Sequence, residues 1–319
     1  MKYSTIQYVD KPVSHLVQGT MMMNESDPES GFAILDACLA AGINTFDTAH
    51  VYGGGQSERV LGSWINERGV RDQVVVLTKG AHHSRDRKRV TPFDIAADIH
   101  DSLARLKIDF IDLYLLHRDD PELPVGPIVE ALNEHHEAGR IGAFGGSNWS
   151  VARLQEANEY AAANGLKPFL CSSPNFSLGV QAKPPWPDCI SLSGPAGATD
   201  RQWYLDNKIS LFTWSSLAGG FFSGRFRRDN LDSFEIYYDK LCVEVYCHEE
   251  NFQRLDRVDE LANEKGMTIP QLALAYVLNQ PQGIHALVGS RNAEEVAVNV
   301  SASEVELTEK EVAWLDLRD

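Results

Sequence analysis

No stretch of the sequence approaches the ~20 consecutive apolar residues that cross a bilayer, and the N-terminal MKYSTIQYVDKPVSH holds no apolar segment of signal-peptide length. No membrane partner is expected, and the expected location is the cytoplasm. Positive charge is also scarce: 29 Lys and Arg stand against 45 Asp and Glu, a formal net charge of −16. That balance argues against a nucleic-acid partner, although a few local basic groups and helix N-termini can still hold a phosphate. Cysteine is sparse and unpatterned. Five residues (Cys38, Cys171, Cys189, Cys242 and Cys247), odd in number and without CxxC spacing, exclude a disulfide framework and read as reduced thiols. Cys242, Cys247 and His248 are near one another in sequence, yet no metal site is expected from them. No low-complexity segment or change of composition marks a linker, so residues 1–319 read as one domain.

What the sequence does have is a rhythm. Short β-type runs are expected at 13–19, up to Asp47, and at 73–79, 111–117, 141–145, 169–173, 209–214 and 284–288, with helical patterns between them. Asp27-Pro28-Glu29 supplies an N-cap, a first-turn proline and an acid suited to the helix dipole. Thr91-Pro92-Phe93-Asp94 opens another helix, whose Ile95, Ile99, Leu103 and Leu106 keep helical spacing. Two stretches, at about 175–198 and 218–247, are too long for ordinary connections and are expected as long loops. Eight β runs alternating with helices point to the α/β class and a single (β/α)8 barrel. A doubly wound open sheet would want GxGxxG after the first strand, and the chain has Gly19-Thr20-Met21-Met22-Met23 there.

Three successive β runs end on chemistry. NTFDTAHVYG delivers Asp47 and then Tyr52, VVVLTK ends on Lys79, and IDLYLLH ends on His117. In a barrel the C-terminal strand ends converge on one face, so these four side chains are expected to share a site. A phenol has a pKa of about 10, too high for acid–base work near neutrality. A neighbouring ammonium stabilises the phenolate, a carboxylate holds the ammonium, and a histidine can position a substrate oxygen. Such a set is a proton donor beside a carbonyl, one half of a carbonyl reduction. The hydride has to come from a cofactor.

Over nearly its whole length the chain resembles the aldo-keto reductases, in the branch of the potassium-channel β subunits and aryl-alcohol dehydrogenases. NTFDTAHVYG, VVVLTKG and IDFIDLYLLHR match that family's three catalytic blocks in order. The resemblance implies a catalytic tetrad of Asp47, Tyr52, Lys79 and His117. In it Tyr52 is the general acid–base, Lys79 lowers its pKa, Asp47 braces Lys79 and His117 orients the substrate. It also implies a nicotinamide site. Gly146-Ser147-Asn148 resembles the block whose Ser and Asn hold the carboxamide, and Ser173 stands where a Gln often helps. Trp214 replaces the usual tyrosine stacked on the nicotinamide. Ser215-Ser216-Leu217-Ala218-Gly219-Gly220 with Gly224-Arg225 resembles SPLAGG…GK over the pyrophosphate, with Ser216 in place of the Pro. Thr20 and Met21 fall against the cofactor, and Asn299 matches an adenine contact. Gly289-Ser290-Arg291 opens the last strand-following helix, where Arg291 suits a 2′-phosphate, making NADP(H) the expected cofactor over NAD(H). Glu295 and Val298 depart from the family's Gln and Glu; Glu295 beside a phosphate needs Arg291 or the adenosine hydroxyls as its partner.

Other signals are less specific. Arg85 to Arg89 (RDRKR), after His82-His83, reads as a solvated loop before it reads as an anion trap. The aromatics Phe221, Phe222, Phe226, Phe234, Tyr237, Tyr238 and Tyr246 suit a lid over a cofactor, and Trp186 is a candidate pocket wall. The expected function is interconversion of an aldehyde or ketone and its alcohol. Two rivals remain at this point: a cofactor-sensing partner subunit with little turnover, and a barrel lyase or isomerase that keeps the nucleotide as structure. Substrate, reaction direction and oligomeric state are not readable.

Overall fold

The computed structural model describes residues 1–318. A short antiparallel hairpin, β1 (Tyr3–Ser4) and β2 (Val13–Ser14), comes first. The barrel strands are β3 (Leu16–Gly19), β4 (Thr45–Asp47), β5 (Val75–Gly80), β6 (Ile111–Leu116), β7 (Ile141–Ser147), β8 (Cys171–Ser173), β9 (Ser210–Thr213) and β10 (His285–Val288). They run parallel and close in chain order, β10 pairing with both β3 and β9. Outside them lie α1 (Pro28–Ala40), α2 (Gln56–Arg68), α3 (Pro92–Leu106), α4 (Val125–Glu137), α5 (Val151–Ala163), α6 (Ala198–Asn207), α7 (Tyr237–Tyr246), α8 (Glu249–Lys265), α9 (Ile269–Leu278), α10 (Ala293–Ala302) and α11 (Glu309–Leu315). This is the expected (β/α)8 barrel. Among the described residues no helix is long and apolar enough to cross a membrane.

Strand alternation divides the core in two. One parity of the strands, Val17, Val75, Leu77, Leu113, Leu115, Ala143, Cys171 and Phe212, packs with Ile6, Val9 and Val13 of the hairpin segment. This set fills the barrel, and the hairpin closes its N-terminal end. The other parity, including Leu16, Phe46, Val76, Tyr114, Leu116 and Phe144, packs under the helices. Because side chains alternate with period two, the next inward positions after Thr45, Leu77 and Leu115 are Asp47, Lys79 and His117. The register aligns them, with Asp47 opposite Leu77 and Lys79 opposite Leu115. β7 approaches β8 so closely that a Cβ on Gly145 would fall 1.7 Å from the Cys171 carbonyl oxygen.

Two helix starts follow the expected caps: the Asp27 side chain accepts from the Ser30 amide and that of Thr91 from the Asp94 amide. Thr268 and Gln271 add a capping box at the start of α9.

Two expectations are corrected. The first strand is not one piece over 13–19. The Ser14 amide donates to Asn44 Oδ1 and Thr45 Oγ1 rather than to a neighbouring strand, so Val13–Ser14 stays in the hairpin and only Leu16–Gly19 joins the barrel. The 218–247 stretch is not simply a loop. A 3-10 turn at Ala218–Ser223 is followed by α7, whose buried Cys242, Val245 and Tyr246 pack back on that turn. The Cys242 thiol donates to the Ala218 carbonyl at 3.6 Å, which ties helix to turn. The 175–198 stretch is held by Asn175, which bridges to both Ser191 and Trp214.

Candidate active site

Each catalytic candidate reaches the C-terminal face by a local device. β4 ends at Asp47, and the chain turns through Thr48 and Ala49, which places Tyr52 at the head of a 3-10 turn. Gly53, Gly54 and Gly55 follow with φ of 56°, 63° and 92°. Three left-handed residues in a row reverse the chain into α2 at little steric expense, which only glycine permits. β5 carries Lys79 and β6 delivers His117, whose amide donates to the Gly80 carbonyl at 2.7 Å.

The four side chains meet. The Lys79 ammonium is ion-paired to Asp47 and donates to the Thr48 carbonyl at 3.1 Å, and both partners are buried. The ammonium lies 5.4 Å from the Tyr52 ring centroid. The Tyr52 and His117 rings meet edge-on with centroids 5.6 Å apart. His82, from the loop after β5, packs edge-on against the other side of His117 at 4.9 Å.

Burial governs the protonation states. It drives the His117 imidazole well below its ordinary value, with Lys79, His82 and Arg118 adding to the effect, so the ring is neutral. Burial opposes the charge on Lys79, but Asp47 and Tyr52 together outweigh it, so Lys79 stays charged above its ordinary value. Burial raises the Tyr52 phenol above 10.0, opposed by Lys79 and Arg118 and reinforced by Asp47. Lys79 therefore pulls in the expected direction, but the net displacement is upward because desolvation of the half-buried tyrosine outweighs that pull. At neutral pH Tyr52 holds its proton.

Ser147, Asn148, Ser173 and Trp214 lie at the same end, on β7, β8 and just past β9. Ser147 Oγ donates to the Ser173 carbonyl at 2.9 Å, and Asn148 sits at φ 57° with its amide nitrogen bonded to Ser147 Oγ. The Ser173 hydroxyl, Trp214 Nε1 and His117 Nδ1 are buried without a hydrogen-bond partner in the protein, as are the Thr48 and Thr213 hydroxyls. Buried polar atoms are normally paired. The unpaired ones of Ser173, Trp214 and His117 stand at the C-terminal end of the barrel, where polar groups of a ligand could pair with them. Trp186 lies beside Trp214 with ring centroids 6.3 Å apart and donates its Nε1 to the Tyr237 hydroxyl at 3.3 Å. Its candidacy as a wall gains support.

The distal half of the expected cofactor site is more self-contained. Thr20 Oγ1 donates to the Asp47 carbonyl at 3.0 Å and is buried, whereas Met21 is exposed. Ser215, Ala218, Gly219 and Gly220 all adopt positive φ, so the loop through Leu217 coils tightly over the end of β9. Arg225 is bidentate on Asp239 at 3.1 and 2.9 Å. Arg291, past Gly289 and Ser290, donates to Glu295 Oε1 at 3.0 and 2.6 Å, and its backbone amide donates to Oε2 at 2.9 Å. Glu295 thus faces Arg291, one of its two expected partners, and occupies both groups a phosphate would use. The Asn299 amide donates to Ser290 Oγ at 3.0 Å, and Gln18 joins Ser290 from β3.

The RDRKR loop is committed to the fold. Arg87 pairs with Asp94, Lys88 with Asp120 and Arg89 with Asp98. Among the described residues no three His, Cys, Asp or Glu side chains are grouped to hold a metal, and the five cysteines are free. A surface groove of about 710 Å³ lined by Glu260, Glu264, Lys310 and Trp314 contains none of the site residues. Arg118 and His82 escaped the sequence reading. Their signal was adjacency: Arg118 follows His117 directly, and His82 comes just past the end of β5.

Comparison with known proteins bears on this geometry. A family model described as "Aldo/keto reductase family" matches residues 15–317. The "Aldo-keto reductase YhdN" of Bacillus subtilis (strain 168) is 28% identical over 313 residues, covering 91% of this chain and 85% of the relative. A "Probable voltage-gated potassium channel subunit beta" of Oryza sativa subsp. japonica is 27% identical, covering 96% of this chain and 92% of the relative. An "Uncharacterized oxidoreductase YrpG" of Bacillus subtilis (strain 168) is 26% identical over 98% of this chain and 94% of its own length.

Proposed function

The chain belongs to the aldo/keto reductase family and is an oxidoreductase, and from that premise we propose that it interconverts an aldehyde or ketone and its alcohol with Tyr52 as the acid–base. The observation that carries the reading is the enclosed group of Tyr52, Lys79, Asp47 and neutral His117 beside unpaired buried polar atoms of Ser173 and Trp214. In reduction the phenol, protonated at neutral pH, gives its proton to the carbonyl oxygen; in oxidation it takes one from the alcohol. Lys79 stabilises the phenolate as it forms, and the fixed Asp47 keeps that ammonium charged and aimed. His117, being neutral, offers a hydrogen bond without adding a second charge. A bound nicotinamide supplies or accepts the hydride. Ser147, Asn148 and Ser173 would hold its carboxamide, and Trp214 would lie along the ring.

We take NADP(H) as the preferred form, held at the 2′-phosphate by Arg291 once Glu295 releases it. The free cysteines and strongly acidic charge fit a reducing, cytoplasmic setting. The test is Tyr52→Phe. It should abolish turnover of activated aldehydes and leave NADPH binding, read by tryptophan quenching, nearly unchanged; retained turnover removes Tyr52 from the role. The second reading, a cofactor-binding partner subunit, draws on the name of the rice relative. Steady-state turnover on a panel of aldehydes separates the two, because a sensor would bind the cofactor and turn over little.

A further inference from the structure

Among the described residues four Lys or Arg side chains are buried: Lys79, Arg118, Arg153 and Arg254. Three have carboxylate partners. Lys79 has Asp47, Arg153 has Asp119 at 2.9 Å, and Arg254 has Glu250 at 2.9 Å with Asp316 at 3.6 Å. Arg118 has none among the described residues. Its one hydrogen bond in the protein runs from a terminal nitrogen to the His117 carbonyl at 3.0 Å, and its own carbonyl accepts from Trp149 Nε1 at 3.1 Å. The acids that follow it are already engaged, Asp119 by Arg153 and Asp120 by Lys88. Asp188 is close enough to act on His83 and Cys189 but lies beyond ion-pair range of Arg118. Arg118 is nine-tenths buried as a residue, and its guanidinium has no counter-charge, so an arriving anion would be favoured there.

Its location says which anion. Arg118 is the residue after His117 and is bonded to its carbonyl, and its charge acts on Tyr52, His117, His82 and Cys189, so its guanidinium lies beside the reaction centre. The nearby Arg87, Lys88 and Arg89 are all paired, which leaves a lone fork with no cluster of cations around it. One guanidinium carries a single positive charge, which a monoanionic carboxylate balances through two parallel hydrogen bonds, whereas a phosphate dianion would keep an unmatched charge. The Tyr52 and His82 rings, both packed edge-on against His117, offer flat faces for the rest of the molecule.

We propose that Arg118 is a substrate-binding residue and that the preferred substrates are carbonyl compounds carrying a carboxylate close to the reacting carbonyl. The proposal rests on the carbonyl-reductase reading above and names the substrate class of that site. Its test uses matched pairs with NADPH: 4-carboxybenzaldehyde against methyl 4-formylbenzoate, and succinic semialdehyde against its methyl ester. In the wild-type protein the kcat/KM ratio of acid to ester should exceed tenfold, mainly through KM. In Arg118→Gln the ratio should collapse toward one, and Arg118→Lys should restore part of it. A wild-type ratio near one overturns the proposal. So does a ratio that is the same in wild type and Arg118→Gln, since Arg118 would then serve only the fold or Tyr52. Benzoate binding, followed by tryptophan fluorescence in the presence of NADP+, provides a readout independent of turnover. Benzoate should bind the wild type and not Arg118→Gln. If it does so while no aldehyde is turned over, the anion site stands and the reductase reading falls. If neutral aldehydes are reduced while benzoate fails to bind, the reductase reading stands and the anion site falls.

Discussion

At the closed end of the barrel, Ser14 Oγ donates to the Leu16 carbonyl at 2.6 Å while its amide is bound by Asn44 and Thr45. His285 Nδ1 faces the Ser14 carbonyl at 3.0 Å and so carries the proton; its Nε2 then accepts from the Ser4 hydroxyl at 3.0 Å. At the opposite end the Ser173 hydroxyl, Trp214 Nε1 and His117 Nδ1 are as deeply enclosed and have no hydrogen-bond partner among the described residues. An unpaired buried group costs about 1–3 kcal/mol, so several together are a standing expense that Ser14 and His285 avoid. The contrast separates polar residues that specify the fold from polar residues kept for a ligand. It also explains why Asp47 and Lys79 can sit on the same strands as the apolar barrel filling: they are the next inward rung beyond it.

The largest break of this contrast is Lys79→Met. It leaves the Asp47 carboxylate buried without its counter-charge, which should cost about 3–5 kcal/mol in denaturant unfolding as well as abolish turnover. A smaller loss would mean that Asp47 is already protonated or hydrated.

Acid should attack the floor next. Burial, with nearby His15, holds the His285 imidazole at about 4 against the Ser14 carbonyl's opposing pull, below its ordinary 6.5. Between those values the unfolded chain binds a proton that the folded one refuses, so stability is full above pH 6.5 and falls as pH drops toward 4. His285 accounts for about 3 kcal/mol of that fall. Burial displaces His15, His82, His83, His117 and His135 the same way, so the observed decline should be steeper. Unfolding free energies at pH 7.5 and 5.0 for wild type and His285→Asn measure the His285 share, and an unchanged pH slope in the variant would remove it.

One substitution made at both ends sharpens the comparison further. Ser14→Ala should destabilise by about 1–2 kcal/mol and leave kinetics alone, while Ser173→Ala should change stability by less than about 0.5 kcal/mol and weaken cofactor binding. Equal stability losses would mean that Ser173 is paired after all. The smallest effect belongs to Glu295→Gln. Freeing Arg291 and its amide should favour NADPH over NADH by about 1 kcal/mol, roughly fivefold, in paired fluorescence titrations. No change would place the 2′-phosphate elsewhere.

Much of this was legible in the chain. Alternating β and helical runs specified the barrel, and Asp47, Lys79 and His117 stood out because each ends an apolar run. The split of the first strand was not legible, since Val13 and Ser14 have strand-like character and only the side chains of Asn44 and Thr45 divert the Ser14 amide. α7 was hidden because Tyr237, Tyr238 and Tyr246 read as lid aromatics before they read as a helix. The Arg291–Glu295 pair was foreseen as one of two options, because the spacing of four within a helix start permits it. Arg118 was passed over because a basic residue after a strand usually finds a carboxylate, and two follow it directly; only the three-dimensional pairing shows both taken by other cations.

The central claim is that the unpaired face is built for nicotinamide-dependent carbonyl chemistry through Tyr52. It is tested most directly by following NADPH oxidation with an activated benzaldehyde in wild type and Tyr52→Phe, with NADPH binding titrated in the same samples. Both proteins should bind NADPH alike, and Tyr52→Phe should be slower by about 10³-fold or more. Similar rates in the two proteins, or binding by neither, would contradict it.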